Sequence, residues 1–552
     1  MKRNNENSVA AVVGWVIFIV IFSTFVWGMY QLLLPSWKFN NGEMLAFVAV
    51  MDFLCAFCMG LGVQISEDEE KSTQFKVFTA NIIILIVIIL IALIGWFTSG
   101  KMFHSAQYQQ IAEICDGNFQ ADFTDISKED INNMSAIVDL DTARKLGDRT
   151  VGGIQNSSWY EVDDEYNLIV YQGTPYRVSS LSYGSVFKYE KAGSIPGYVL
   201  VNANTQEAKY VEVEGGMKYS PSAYFSYDLE RHLRKLYPKY SFGNSYFEID
   251  DFGNPYWITS VKETTYGMFG CRLETKFLVT DSRDGTTEEY THVDLPEWVE
   301  HSYSLEYLMK VVHWHYQYVN GFWNLSSTGV YKTTYDYRNS EEHFYGYNSF
   351  VNKDGQVFFY TGLTPASGAE SNVGFIAINT RTGDITQYDV AGAEESSAQE
   401  AAKGLVQHLG YEATFPTVVN VGGEETYLMA LKDNAGLIQK YSLVNIKNYS
   451  IAVEADTIEE TIQKYLNRMG IEVAVDTTEI AAKTQTKKGK ISKVYSAEID
   501  GTTYFYYVLN NDTNVYKASI KVNEMQILLK EGDSIEIEFV DGEGIKDIVS
   551  IQ

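Results

Sequence analysis

Three long apolar stretches dominate the first hundred residues. "SVAAVVGWVIFIVIFSTFVWGMYQLLLP" runs without a charge from Ser8 to Pro35, a second stretch covers 44–65, and "VFTANIIILIVIILIALIGWF" covers 77–97. A bilayer core about 30 Å thick needs roughly 20 apolar residues in a helix, so each stretch predicts a transmembrane helix within 1–104. The first is too long for a signal-peptide core of roughly 7–15 residues and lacks a small-residue cleavage site, which weighs against its removal.

Residues 105–150 read as helical, with a capping signal at Ser127 and closing glycines, and predict a stalk. From 151 the pattern shortens to alternating runs rich in Tyr, Val and Thr, broken by Gly, Asn and Asp. "GYVLVNANT" from Gly197 and "GFIAINTRT" from Gly374 nearly repeat each other. The first is preceded by "NLIVYQGTP" and the second by "QVFFYTGLTP", and an amphipathic helix and two further strands follow each. The order strand, turn, strand, helix, strand, turn, strand predicts a duplicated α+β unit over 151–330 and 331–455. "FLVTDSRDGTTEEY" from Phe277 repeats the turn once more. Residues 456–486 read as a helix and a polar linker. Five strand candidates in 487–552, with "LKEGDSIEIEF" leading into the fourth, resemble a small OB-type β-barrel.

The turns carry a family resemblance. An apolar strand, then Asn or Asp, a T/D-G turn and a second strand resemble the PepSY domain of bacterial envelope proteins. The positions are Asn202 and Thr205, Asp281 and Gly285, and Asn379 with Thr382 and Gly383. Taken whole, the chain is similar to a family of uncharacterised multi-span membrane proteins from Gram-positive bacteria. That similarity implies a cell-envelope setting and supplies no activity. The expected class is α+β: three N-terminal transmembrane helices, duplicated PepSY-like units and a C-terminal OB-like barrel.

Charge adds a side to the membrane reading. With the N-terminus cytoplasmic, Lys2, Arg3, Lys71 and Lys76 lie inside and Lys38 and Lys101 outside, the orientation the positive-inside rule favours. The bulk after residue 104 is then extracytoplasmic. It holds nearly all of the chain's net charge of −28, which excludes nucleic acid as a partner. The aromatics Tyr504, Phe505, Tyr506 and Tyr507 suit a nucleic-acid-binding barrel, but acids outnumber lysines there, so a protein contact is preferred. Four cysteines make the exterior independent of disulfides, with Cys115 and Cys271 as an optional pair. Cys55 and Cys58 form a CxxC inside the second span, where packing is the plainer role.

Candidate chemistry is sparse. Asp52 is the ionisable group deep in a span, a functional candidate by default. A neutral Asp52 bonded to Ser23, Thr24 or Asn81 is the plainer reading. His313 and His315 would share a metal on a strand but not on a helix, and the surrounding pattern is partly helical. "DSRDGTTEE" at Asp281 lacks the alternating ligands of a calcium loop, and Asp250 and Asp251 read as solvated acids beside a turn. No nucleophile elbow, P-loop, HExxH or dinucleotide fingerprint is present. No cofactor or metal is expected. The leading expectation is a non-catalytic envelope protein, anchored in the lipid bilayer and self-assembling as a homo-oligomeric scaffold. The alternative is an extracytoplasmic receptor or regulator that binds a peptide, a protease or a wall fragment.

Overall fold

A computed structural model describes residues 2–65, 68–128, 136–154, 156–323, 330–338, 346–366, 371–471, 485–499, 502–541 and 545–551. Ser66 and Glu67, residues 129–135 of the expected stalk and 472–484 of the linker lie outside these. The chain divides into two compact units, Met1–Met469 and Gly470–Gln552.

Among the described residues, three helices are long and apolar enough to cross a membrane: Val13–Leu33, Glu43–Gly60 and Phe75–Thr98. The last two pack on each other where Phe78 lies against Gly60. Trp27, Trp37, Trp96 and Phe97 are exposed near the ends that face the folded body, where amphipathic rings suit a lipid–water boundary.

Among the described residues the body holds four sheets built on antiparallel four-strand meanders, besides the two-stranded pair Ser371–Asn372 and Gly392–Ala393, and a helix precedes each meander. Helix Leu140–Val151 leads into sheet I, with Asn167–Tyr171, Thr174–Tyr183, Ile195–Asn202 and Ala208–Met217 in that order. Leu229–Leu236 leads into sheet II, with Ser241–Ile249, Pro255–Thr265, Cys271–Asp281 and Thr287–Tyr290. Leu305–Gln317 leads into sheet III, with Asn348–Val351, Val357–Pro365, Gly374–Asn379 and Ile385–Tyr388. Glu395–Leu405 leads into sheet IV, with Thr417–Val421, Glu424–Lys432, Ile438–Asn445 and Ala452–Ala455. The sequence reading expects two copies of one unit; the structure has four copies of a half-sized unit, a helix followed by a four-strand meander.

The shared order extends to irregularities. The first edge of each sheet is broken. Tyr160–Val162 continues that edge in sheet I, Tyr331–Thr333 in sheet III and Glu412–Ala413 in sheet IV. In sheet II the break is a register shift between Phe242 and Ser245. The last hairpin of each sheet is an Asx turn. Asn202 Oδ1 accepts the amides of Asn204 and Thr205, and Asn379 Oδ1 accepts those of Arg381 and Thr382. Asp281 Oδ1 accepts the amide of Arg283, and Asn445 Oδ1 that of Asn448. Four residues after the Asx the backbone is left-handed in three of them, at Gln206 (φ 61°), Gly285 (φ 82°) and Gly383 (φ 76°). Gln206 holds that conformation without being glycine, and its side chain bonds both backbone groups of Ile438 in sheet IV.

Continuous apolar runs follow from burial on both faces. Gly374–Asn379 is buried at every position. One face meets Leu308, Val312 and Trp314 of the preceding helix, and the other meets Ala398 and Ala402 of the next. Glu395 opens that next helix fully buried. It accepts from Tyr360 Oη at 3.0 Å, Asn372 Nδ2 at 3.0 Å and Thr334 Oγ1 at 3.2 Å, a carboxylate at the positive end of a helix.

One expectation is corrected, and one open question is answered. The described part of 105–150 is no stalk. Ile114–Asp116 adds a parallel strand to Ile385–Tyr388, and Asp125 bridges Asn420, so the segment is folded onto sheets III and IV. The amide and hydroxyl of Ser127 both donate to Asp125 Oδ1, and the cap of helix Leu140–Val151 is Asp139. The optional pair Cys115 and Cys271 is unformed. Cys271 is buried in sheet II, Cys115 is exposed on the edge of sheet III, and both are free.

Sheet II is seated on the membrane helices. Arg231 donates to the carbonyls of Gln31 and Leu32 at the end of the first span, carbonyls that a helix leaves without internal partners. Arg234 pairs with Glu43 at 3.6 Å at the start of the second. The amide of Phe269 donates to Ser99 Oγ at 2.8 Å, and a Cβ on Gly95 would lie 2.8 Å from the Phe269 ring. Gly95→Leu should therefore expel Phe269. Proteolysis of the loop at 266–270 in detergent is expected to accelerate several-fold. Gly14→Leu, with nothing within 4 Å of the new Cβ, should leave it unchanged.

In the unit Gly470–Gln552, Gln485–Ile499 pairs with Thr502–Leu509 and with Ser534–Asp541. Thr502–Leu509 pairs with Val515–Ser519, which runs parallel to Lys546–Ile551, and that strand pairs with Ser534–Asp541. Tyr507, Tyr516, Ile535 and Ile537 fill its core.

Candidate functional site

Four copies of a unit leave a gap where their ends converge. A cavity of about 360 Å³ is lined by Arg144, Tyr166 and Arg177 from the first unit and by Asn244 and Tyr246 from the second. His301, Tyr347 and Phe359 from the third and Phe415 at the entry to sheet IV complete it. A second cavity of about 410 Å³ shares Glu165 and Asn244 with the first and adds Asp163, Asp228, Glu230, Phe242 and Trp257. The result is one cleft with two lobes, in the size range of small-ligand sites.

Arg177 sits in strand Thr174–Tyr183 and is 4 % exposed. Its Nε donates to Val138 O at 2.5 Å. The nearby carboxylate of Asp139 is committed elsewhere, to Lys432 Nζ at 2.5 Å and to the amide of Thr142 as a helix cap. Among the described residues no carboxylate lies within ion-pair distance of Arg177. Burial lowers the pKa of its guanidinium and Asp139 opposes the shift, but an arginine stays charged. A cation is thus buried at the cleft wall without a direct ion pair among the described residues, with Asp139 acting on it from beyond ion-pair distance.

His301 is 3 % exposed and is oriented from behind. Its Nδ1 lies 3.0 Å from Glu248 Oε1, and Glu248 also accepts the amides of Glu300 at 2.8 Å and His301 at 2.6 Å. The other ring nitrogen has no hydrogen-bond partner among the described residues. The segment is held by the Asn379 turn, where Thr380 Oγ1 donates to Glu300 O at 2.7 Å and Ser302 donates to Thr380 O. Burial first, and then the Glu248 charge, push the Glu300 carboxyl up to about 8, with Arg381 opposing.

The second lobe is acidic. Asp163, Glu165, Asp228 and Glu230 line it, and no lysine or arginine does among the described residues. Desolvation raises the pKa of Asp163, Glu165 and Asp228. Asp228 caps helix Leu229–Leu236, the same helix whose Arg231 and Arg234 grip the membrane spans.

The structure does not gather the residues singled out from sequence. Asn202, Thr205, Asp281, Gly285, Asn379, Thr382 and Gly383 build hairpin ends in three sheets. Of these turns, the one at Asn379 supports the cleft, indirectly. Asp52 has a buried Oδ2 with no hydrogen-bond partner among the described residues. Of its expected partners, Thr24 donates to Val20 O, and Asn81 donates to Val77 O and Met59 Sδ. His313 and His315 lie on a helix and diverge, one to Asp336 and the other to the carbonyls of Gln109 and Ala112. Among the described residues no three metal-type ligands converge. Asp250 closes a turn through Phe252 and Asn254.

Sequence reading missed Arg177, Glu248 and His301. A basic residue at an inward position of "TPYRVSSLSY" was the available signal for the first. No family model and no curated protein matches this chain.

Proposed function

We propose that the chain is a membrane-anchored, non-catalytic receptor of the cell envelope whose extracytoplasmic body binds a small ligand in the two-lobed cleft. The observation that carries this reading is the cleft itself: every unit contributes to its wall, and one wall element also grips the membrane spans. A ligand that moves helix Leu229–Leu236 would move Arg231 and Arg234, and with them the first two spans. The N-terminus is then cytoplasmic, as the lysine and arginine distribution favours. The four Asx-turned sheets support the PepSY-like reading. The strand circuit of the C-terminal unit supports an OB-like module for protein contacts.

The scaffold reading retains one specific support. Ala208–Met217 ends sheet I, with Glu212 and Glu214 on an edge that has no further strand among the described residues. Pairing of such edges would build a homo-oligomer.

One experiment separates the two. The full chain in nanodiscs is titrated with small soluble fragments released by digestion of the bacterial wall. A receptor shows a saturable rise in its unfolding midpoint, and Ser349→Trp, which fills the first lobe, abolishes it. A flat response together with oligomeric native mass in mild detergent would overturn the receptor in favour of the scaffold.

A further inference from the structure

Two features of the cleft walls bear on what it can bind. One lobe holds a buried guanidinium with a single hydrogen bond, to Val138 O, and no carboxylate within ion-pair distance among the described residues, while Arg144, Asp139, Asp141, Asp164, Glu165 and Glu306 also line that lobe. The adjoining lobe holds four carboxylates and no cationic side chain. A buried charge without a counter-ion is costly, so the protein keeps Arg177 in a state that a bound anion would relieve. The planar fork of arginine fits a carboxylate by two parallel hydrogen bonds. His301, its Nδ1 engaged by Glu248, lines the same cavity, and its other nitrogen has no hydrogen-bond partner among the described residues.

The acidic lobe limits which anion can enter. A multiply charged phosphate or an acidic polymer would be repelled by Asp163, Glu165, Asp228 and Glu230 on its way past the shared wall. A ligand that carries its own cation would be attracted there. Tyr246, Phe359 and Phe415 supply apolar walls between the two ends.

We propose that the cleft binds a short zwitterionic peptide, its terminal carboxylate on Arg177 and its amino or basic side-chain end in the lobe lined by Asp163, Glu165, Asp228 and Glu230. This rests on the receptor reading above and names its ligand class.

The test uses the full chain in nanodiscs and calorimetry with the tripeptide Ala-Ala-Lys. The free-acid peptide should bind saturably. Amidation of its C-terminus should weaken binding about 10- to 100-fold, the worth of a charge-assisted hydrogen-bond pair. Acetylation of its N-terminus together with replacement of Lys by Ala should weaken it comparably. Arg177→Met should bind acid and amide equally while keeping or raising the unliganded unfolding midpoint, because an uncompensated buried charge is removed. Should that variant fail to fold, the acid-against-amide comparison on the unaltered protein still decides. Equal binding of acid and amide by the unaltered protein overturns the proposal, as does binding of inorganic phosphate in preference to every peptide. If peptides fail while wall fragments still raise the midpoint in a Ser349-dependent way, the ligand class is wrong and the receptor reading stands. If neither acts, both fall.

Discussion

Gly197→Ala and Gly374→Ala should each destabilise the body by about 1–3 kcal/mol, and by similar amounts, a loss of several degrees in unfolding midpoint. These two glycines open the near-identical strands "GYVLVN" and "GFIAIN", the third strands of sheets I and III. A Cβ at Gly197 would lie 2.1 Å from Val211 O, and one at Gly374 would lie 2.3 Å from Tyr388 O. The obstruction is backbone of the neighbouring strand in both cases, so no side-chain rearrangement relieves it. Gly197 also follows a register shift in its ladder, where the strands are pressed together. Gly404 provides the contrast. It lies in helix Glu395–Leu405 with nothing within 4 Å of a built Cβ, and Gly404→Ala should stabilise by about 0.5–1 kcal/mol. Midpoints measured in detergent check all three. A Gly374→Ala variant unfolding with the parent would break the equivalence of the two sheets.

That equivalence marks how far the sequence could be read. The apolar spans were legible because a bilayer demands an unbroken run, and sheets I and III because their third strands are buried on both faces. The other two copies were harder to see. In sheet II the Asx turn is built on Asp281, which the sequence reading found as an isolated repeat. In sheet IV it is built on Asn445 in "LVNIKN", without the left-handed residue four positions on that marks the other three. The turn signature could therefore locate hairpins but not count the units. The stalk was misread because helical spacing near Ser127 is local, whereas the parallel strand Ile114–Asp116 depends on a partner some 270 residues away. The cleft was almost illegible for the same reason. Arg177, Glu248 and His301 lie in three separate segments and meet through packing of whole units. The motif-like residues instead serve hairpins, whose demands on Asn, Asp and Gly are local and so leave a strong imprint.

Glu300 gives the largest expected pH effect. An unfolded glutamate loses its proton near 4.3, while this buried carboxyl holds its proton up to about 8. Below the lower value both states are protonated and Glu300 contributes nothing to pH dependence. Between the two the unfolded chain releases a proton that the folded one keeps, so stability falls by about 1.4 kcal/mol per pH unit. Above 8 both are ionised and the penalty is constant. Glu300→Gln stays neutral throughout and can still accept from the backbone of Val357. Its unfolding midpoint should match the parent near pH 5 and exceed it increasingly towards pH 8–9. Parallel curves across that range would show that Glu300 ionises freely in the folded protein. Glu248→Gln should behave differently. It removes the charge that helps to hold Glu300 neutral, but it also weakens the acceptor for two amides and for His301 Nδ1, so it should lower the midpoint at every pH. The pair of variants separates a carboxyl that the fold tolerates from one that the fold requires, and the second is the one that aims His301 into the cleft.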